Sequence, residues 1–353
     1  YPLRRQRQMC IRDRYYISAV GALGEGSSNS LSKDTDLALA IGTKLADFTT
    51  GSWANFENPN FKLVSVNTAR YDTTKHLATP VISDAKVGLQ KISEALGDWK
   101  APDDWYKRAI KEKNEWDAYV EKQSGPTNQE EPSYAHAVGA VYRNSDPSDI
   151  VVTAAGGLVG EVVQVWKPKQ LNTFETEWGF SCMGYEISGA LGIKMAKPDQ
   201  DVVVFVGDGS YLLNNTDIYS SVIYDQKLII IVCDNGGHMV INRLQLAKGG
   251  KEYICNLRAA RATNLKFVDF ENHAKSMGAN AETVSSTSEL EAAYKRAKDS
   301  DKTYVITIKT HGYEWLEGTA FWESPTLQDP ITDNNKNALE DFESGKSKQR
   351  KGV

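Results

Sequence analysis

Two short stretches carry side chains whose type and spacing suit one piece of chemistry. Gly207-Asp208-Gly209 follows an apolar run, and Asp234-Asn235-Gly236-Gly237 follows another. If the two runs are neighbouring strands, Asp208 and Asn235 converge on one point at the strand ends. Glycines on both sides of Asp208 let the backbone turn sharply and approach a ligand with no Cβ in the way. Ser210 and its neighbours then start a helix, whose free N–H groups favour anions such as phosphate. A carboxylate, an amide oxygen and a main-chain carbonyl form a hard oxygen set. Such sets suit Mg²⁺ or Ca²⁺, and Mg²⁺ is commonly held by few protein groups plus phosphate oxygens. The residues therefore point to a diphosphate carried on a divalent ion. Either stretch alone reads as an ordinary turn, and the signal lies in the pair.

The elements that must position these residues are legible as apolar runs. Asp149–Ala155, Asp201–Gly207, Lys227–Asn235 and Thr303–Thr310 read as strands, with helices predicted over Cys182–Met195, Asn215–Tyr224, Phe270–Met277 and Glu289–Lys298. Near-continuous Val and Ile mean strands buried on both faces. The alternation predicts an α/β fold with doubly wound parallel sheets, in which ligands bind at the carboxyl ends of the strands. Upstream, Asp36–Gly42 and Phe61–Asn67 read as strands and Val81–Leu96 as a helix, a partial or small second α/β domain. The resulting plan has a non-native or disordered segment at 1–14, a partial central domain at 15–100 and a helical linker at 101–132. A diphosphate- and metal-binding domain follows at 133–325, then a polar tail at 326–353. Within the linker, Asp104–Gln123 reads as a helix and Ser124–Pro132 as a loop. The first fourteen residues hold five Arg and neither an apolar core nor a helical period. They read as foreign to the fold, an assembly scar or a basic arm, and not as a signal peptide.

Gly-Asp-Gly, 24 residues, then two residues ending in Asn resembles the signature of thiamine-diphosphate enzymes. That family usually has Asn-Asn where this chain has Asp234-Asn235. The resemblance implies thiamine diphosphate and Mg²⁺, with Asp208 and Asn235 as side-chain ligands and Gly237 as a carbonyl ligand. It places Gly209 and Ser210 at the diphosphate. Met183, in "EWGFSCMGYEISGALG" (Glu177–Gly192), matches the apolar wedge that bends the cofactor. The Ser181 carbonyl and the Met183 N–H would then serve the aminopyrimidine, and Gly156 and Gly157 would approach the diphosphate or the substrate.

Longer stretches, among them Ala46–His76 and Tyr313–Pro325, resemble a narrower family, the trihydroxycyclohexanedione hydrolases of inositol catabolism. That resemblance implies addition of water across a C–C bond of a cyclic polyol diketone, giving 5-deoxy-glucuronate, with the cofactor as electron sink. The alternatives are an acetolactate-synthase-like carboligase or decarboxylase of a 2-keto acid, and a non-catalytic cofactor-binding subunit.

The activating Glu of these enzymes sits on a separate pyrimidine-binding domain. Glu25, Glu161, Glu175 and Glu177 do not match its context. The chain therefore reads as a truncated or split piece that is inactive alone, with a homodimer or homotetramer expected when intact. His238 follows the metal-binding turn and could face substrate as a catalytic candidate. The other four His read as structural.

The net charge of -5 makes no electrostatic case for nucleic acid, and no apolar run approaches the length of a membrane span. The four Cys are widely spaced, which suits reduced thiols and a cytoplasmic location.

Overall fold

The computed structural model describes residues 16–177 and 180–350, so the segment 1–14 lies outside the described residues. They fall into two compact units, one of residues 16–117 with 317–350 and the other of 118–316.

The first unit opens with α1 (Gly26–Asp34), β1 (Leu37–Ile41), α2 (Asp47–Thr50), β2 (Lys62–Asn67), α3 (Arg70–Thr74), β3 (Thr79–Ile82) and α4 (Ala85–Leu96). Its three strands are parallel, in the order β1-β2-β3, around a small core of Ala40, Phe56, Phe61 and Leu63. Val81–Leu96, expected as one helix, is two elements. Val81 pairs with Val66 in the sheet. The Asp84 carboxylate then starts α4 by accepting from Lys86 N at 2.9 Å and Val87 N at 3.2 Å. The long helix α5 (Asp103–Gln123) follows.

The second unit runs α6 (Tyr134–Arg143), β4 (Ile150–Thr153), α7 (Gly156–Val165), β5 (Phe174–Thr176), α8 (Tyr185–Ala196), β6 (Val202–Gly207), α9 (Asp208–Leu213), α10 (Thr216–Ile223), β7 (Ile229–Asp234), α11 (Met239–Ala247), α12 (Phe270–Ser276), β8 (Asn280–Val284), α13 (Thr287–Asp299) and β9 (Tyr304–Lys309). Its six strands are all parallel, in the order β5-β4-β6-β7-β9-β8. On one face Val152, Val204, Ile230 and Val305 pack on Ile187, Ala190, Ile218 and Ala274. On the other, the Phe205 ring lies 6.0 Å from Trp166, itself 5.4 Å from Tyr142. Both faces are therefore dry, which is why the strands read as unbroken Val and Ile runs. The fold is the expected doubly wound α/β architecture. From β4 the chain steps to β5 on one side and β6 on the other. The order thus reverses between β4 and β6, and open α/β sheets bind ligands at the carboxyl ends beside such a reversal.

The unit boundaries correct the expected plan. The division falls at 117/118, inside α5, and at 316/317, not at 133 and 325. The loop expected as linker is tied into the second unit: Arg143 Nη1 donates to Ser124 O at 2.6 Å and His311 N to Pro132 O at 3.0 Å. Residues 326–350, expected as a polar tail, include the helix α14 (Asp333–Ser347), capped by Thr332 and belonging to the first unit. Its Ala338 and Phe342 are buried, and Phe342 stacks on Phe321 at 6.4 Å. Two apolar residues in a mainly polar helix suffice when their spacing puts both on one face.

Candidate functional site

Strands β6 and β7 pair with Gly207 opposite Cys233, so the residues that follow each strand emerge side by side. Asp208 opens α9 and is buried, and its Oδ2 accepts from Gly237 N at 2.7 Å. Burial, and then the nearby Asp234, push the Asp208 carboxyl up to about 7, against the N–H groups of Gly209 and Gly237. A divalent ion beside it would reverse that balance and favour the charged form.

Asn235 is buried as well. Its Nδ2 donates to Tyr134 Oη at 2.6 Å, and its Oδ1 has no hydrogen-bond partner among the described residues. An orphaned buried acceptor costs about 1–3 kcal/mol, and a hard cation is a partner it fits. Asp208, Asn235 and Gly237, expected from the sequence as metal donors, thus follow adjoining strand ends, and their oxygens are of the type that suits Mg²⁺.

Gly237 has φ 141, and a Cβ there would overlap the Cys255 carbonyl. Only glycine makes this turn without strain. Asp234, where the family usually has Asn, accepts from Gly236 N at 3.0 Å through Oδ1, a local turn bond that either residue type can make.

Met183 lies in the turn between Ser181 and α8, 36% exposed. The helix expected from Cys182 starts at Tyr185, because Gly184 caps it with φ 96 and a side chain there would overlap Asn214. A Cβ on Gly209 would stand 3.5 Å from Met183 Cε and 2.6 Å from His238 Cε1. Met183 and His238 thus both flank the Gly-Asp-Gly turn. His238 is exposed and precedes α11. Ser181 Oγ donates to Ala154 O at 3.2 Å, which ties the Met183 turn to the end of β4.

Two of the expected cofactor contacts also have partners within the protein. Ser210, expected at the diphosphate, has a hydroxyl that donates to Glu186 Oε1 at 2.8 Å and accepts from Gly184 N at 2.9 Å. Only its main chain remains for an anion. At Gly157 a Cβ would overlap the Trp315 indole, so internal packing accounts for the glycine. Gly156 beside it begins α7 and is exposed.

The sequence reading missed Tyr134, Glu186 and the Glu161–Trp315 cluster. Tyr134 is buried, stacks edge-on with Trp315 at 5.6 Å and fixes the Asn235 amide from 101 positions away. No local pattern announces such a partner. Glu161 on α7 is 3% exposed; its Oε1 accepts from Leu316 N at 3.0 Å, and its Oε2 has no partner among the described residues. Burial pushes its carboxyl up to about 7, opposed by that N–H and by Arg243. Arg243 lies over the Trp315 ring at 5.2 Å.

Comparison with known proteins agrees with this geometry. The family model "Thiamine pyrophosphate enzyme, C-terminal TPP binding domain" matches residues 154–308, and "Thiamine pyrophosphate enzyme, central domain" matches residues 6–92. Together they cover well over half of the chain. Curated relatives named 3D-(3,5/4)-trihydroxycyclohexane-1,2-dione hydrolase include that of Lacticaseibacillus casei, 31% identical over 93% of this chain and 55% of the relative. That of Clostridium tetani is 32% identical over 86% and 53%, and that of Bacillus subtilis 31% over 86% and 52%. The chain spans about half the length of the curated relatives it matches. Thiamine diphosphate is the cofactor of the matched domains, and Mg²⁺ is its usual partner metal. With two of its domain models matched in sequence order, the chain belongs to the thiamine pyrophosphate enzyme family.

Proposed function

We propose that the protein to which this chain belongs hydrolyses 3D-3,5/4-trihydroxycyclohexane-1,2-dione, the substrate in the names of its relatives, giving 5-deoxy-glucuronate with thiamine diphosphate as cofactor. The observation that carries the cofactor part is the buried, unpartnered Asn235 Oδ1 beside the buried Asp208 carboxylate. In this reading Asp208, Asn235 and the Gly237 carbonyl hold Mg²⁺, and the Gly209 turn receives the diphosphate. Met183 sets the bend of the cofactor, with its N–H and the Ser181 carbonyl turned to the aminopyrimidine. When bound, the cofactor supplies an electron sink for C–C cleavage. The activating carboxylate comes from a pyrimidine-binding domain that these two domains do not contain. In this reading His238, exposed beside the turn, is the candidate for proton transfer with substrate.

Exposed Leu213, Tyr219 and Ile223 on α9 and α10 support assembly into a homodimer or homotetramer. Among the described residues no helix is long and apolar enough to cross a membrane. Cys182, Cys233 and Cys255 are free, which supports a cytoplasmic setting.

The test is calorimetric titration of Mg²⁺ and thiamine diphosphate into the chain and into Asp208→Ala and Asn235→Ala, with turnover assayed after adding a pyrimidine domain. Metal-dependent binding lost in both variants, and opening of the cyclic diketone, are expected. Binding that survives both substitutions sinks the metal assignment. Turnover of a 2-keto acid in place of the diketone sinks the substrate.

A further inference from the structure

We propose that Glu186 is the positioning residue of this site, its carboxylate clamping three separate turns into one cradle. The clamp itself is geometry; what the cradle receives rests on the thiamine-diphosphate reading above.

Glu186 lies in the first turn of α8 and is 1% exposed. Its Oε1 accepts from Ala155 N at 3.1 Å and Ser210 Oγ at 2.8 Å. Its Oε2 accepts from Gly184 N at 2.8 Å and Ser210 Oγ at 3.0 Å. Each donor stands on a different piece of the site. Ala155 caps α7 at the end of β4, Gly184 follows Met183, and Ser210 follows the Gly-Asp-Gly turn. A carboxylate has about four acceptor directions, and three donors serve this one, with the Ser210 hydroxyl within reach of both oxygens.

Burying a carboxylate is expensive unless its oxygens are satisfied, and burial indeed raises this one's pKa against the bonds it accepts. All the neighbouring donors that offset the cost belong to the turns at the sheet's order reversal. With no charged partner in that set, the group's effect falls on the shape of the turns. It fixes the Met183 turn relative to Asp208, and it aims the Ser210 hydroxyl away from any anion over the turn.

The experiment uses the full chain with Glu186→Leu, which is close in volume and removes every acceptor, and Glu186→Gln, which keeps one acceptor oxygen. Amide exchange at Ala155 and Gly184 is expected to accelerate about tenfold in the Leu variant and less in the Gln variant. Exchange at Gly237 N, bonded to Asp208, is the unchanged internal reference. The affinity for Mg²⁺–thiamine diphosphate should fall about tenfold while the urea midpoint holds or rises, since apolar replacement of a buried charge is often neutral or stabilising. A residue that merely supports the fold would lower stability and affinity together. Unchanged exchange at Ala155 and Gly184, or full affinity despite faster exchange, overturns the proposal. If the unsubstituted chain takes up no cofactor, that counts against the cofactor reading, and the exchange arms still decide the clamp. If the Leu variant does not fold, the Gln variant carries the same readouts.

Discussion

Replacing Glu161 by Gln should make stability less dependent on pH, with a size the structure sets. Glu161 is buried on α7, accepts from Leu316 N and has its carboxyl raised from 4.5 to about 7 by burial. At about 1.4 kcal/mol per pH unit, that rise amounts to about 3 kcal/mol. The folded carboxyl keeps its proton to a higher pH than the unfolded one, so the unfolded state binds fewer protons in between, and stability falls as pH rises. The penalty is small below about pH 4.5, grows through the interval and is complete above about pH 7. Gln keeps a carbonyl for the Leu316 N–H and cannot ionise. The attraction of Arg243 for the ionised carboxylate is already contained in the value of about 7, so it adds no separate pH dependence. The variant should therefore gain on the parent chain by about 2 kcal/mol more at pH 8 than at pH 5. Pulse labelling of β6 and β7 amides across a urea gradient, at both pH values, reads the gain in the second unit alone. A gap of equal size at the two pH values refutes the reasoning, because the carboxyl would then titrate alike in both states.

Gly157→Ala should destabilise the second unit by about 1–3 kcal/mol, since the new methyl meets a packed indole; urea unfolding measures it, and pairing with Trp315→Leu should restore part of the loss. Tyr134→Phe leaves Asn235 Nδ2 buried without its acceptor, at about 1–3 kcal/mol, with weaker Mg²⁺-dependent cofactor uptake by calorimetry. Phe342→Ala should cost the first unit about 3–5 kcal/mol, read as a lower urea midpoint for β2 amides; an unmoved midpoint would mean α14 contributes little to that unit.

The parts of the fold legible in sequence are those where both faces of a strand are dry. Val202–Gly207 and Ile229–Asp234 are buried almost throughout, so their composition alone announces them. The edge strands are different. Asn280–Val284 buries only Ala281 and Val284 and Phe174–Thr176 spans three residues, so neither builds an apolar run. The residues proposed as metal donors were legible because one crossover fixes their spacing. Glu186 was not, since an acidic residue in a helix's first turn ordinarily reads as a partner for the helix dipole. Two of its three partners lie 31 and 24 positions away. The tail helix stayed hidden because its apolar side is only Ala338 and Phe342, and what they meet is set by the tertiary fold.

The first unit is built from two separated pieces of chain, 16–117 and 317–350. On a ribosome the second unit is therefore complete in sequence before the first has received α14. Phe61 of β2's approach, over which Arg350 stacks at 4.5 Å, waits for residues made nearly 300 positions later. Synthesis thus favours an order in which the cofactor-binding unit folds early. A fusion or truncation near residue 330 would do its damage in the unit that was translated first.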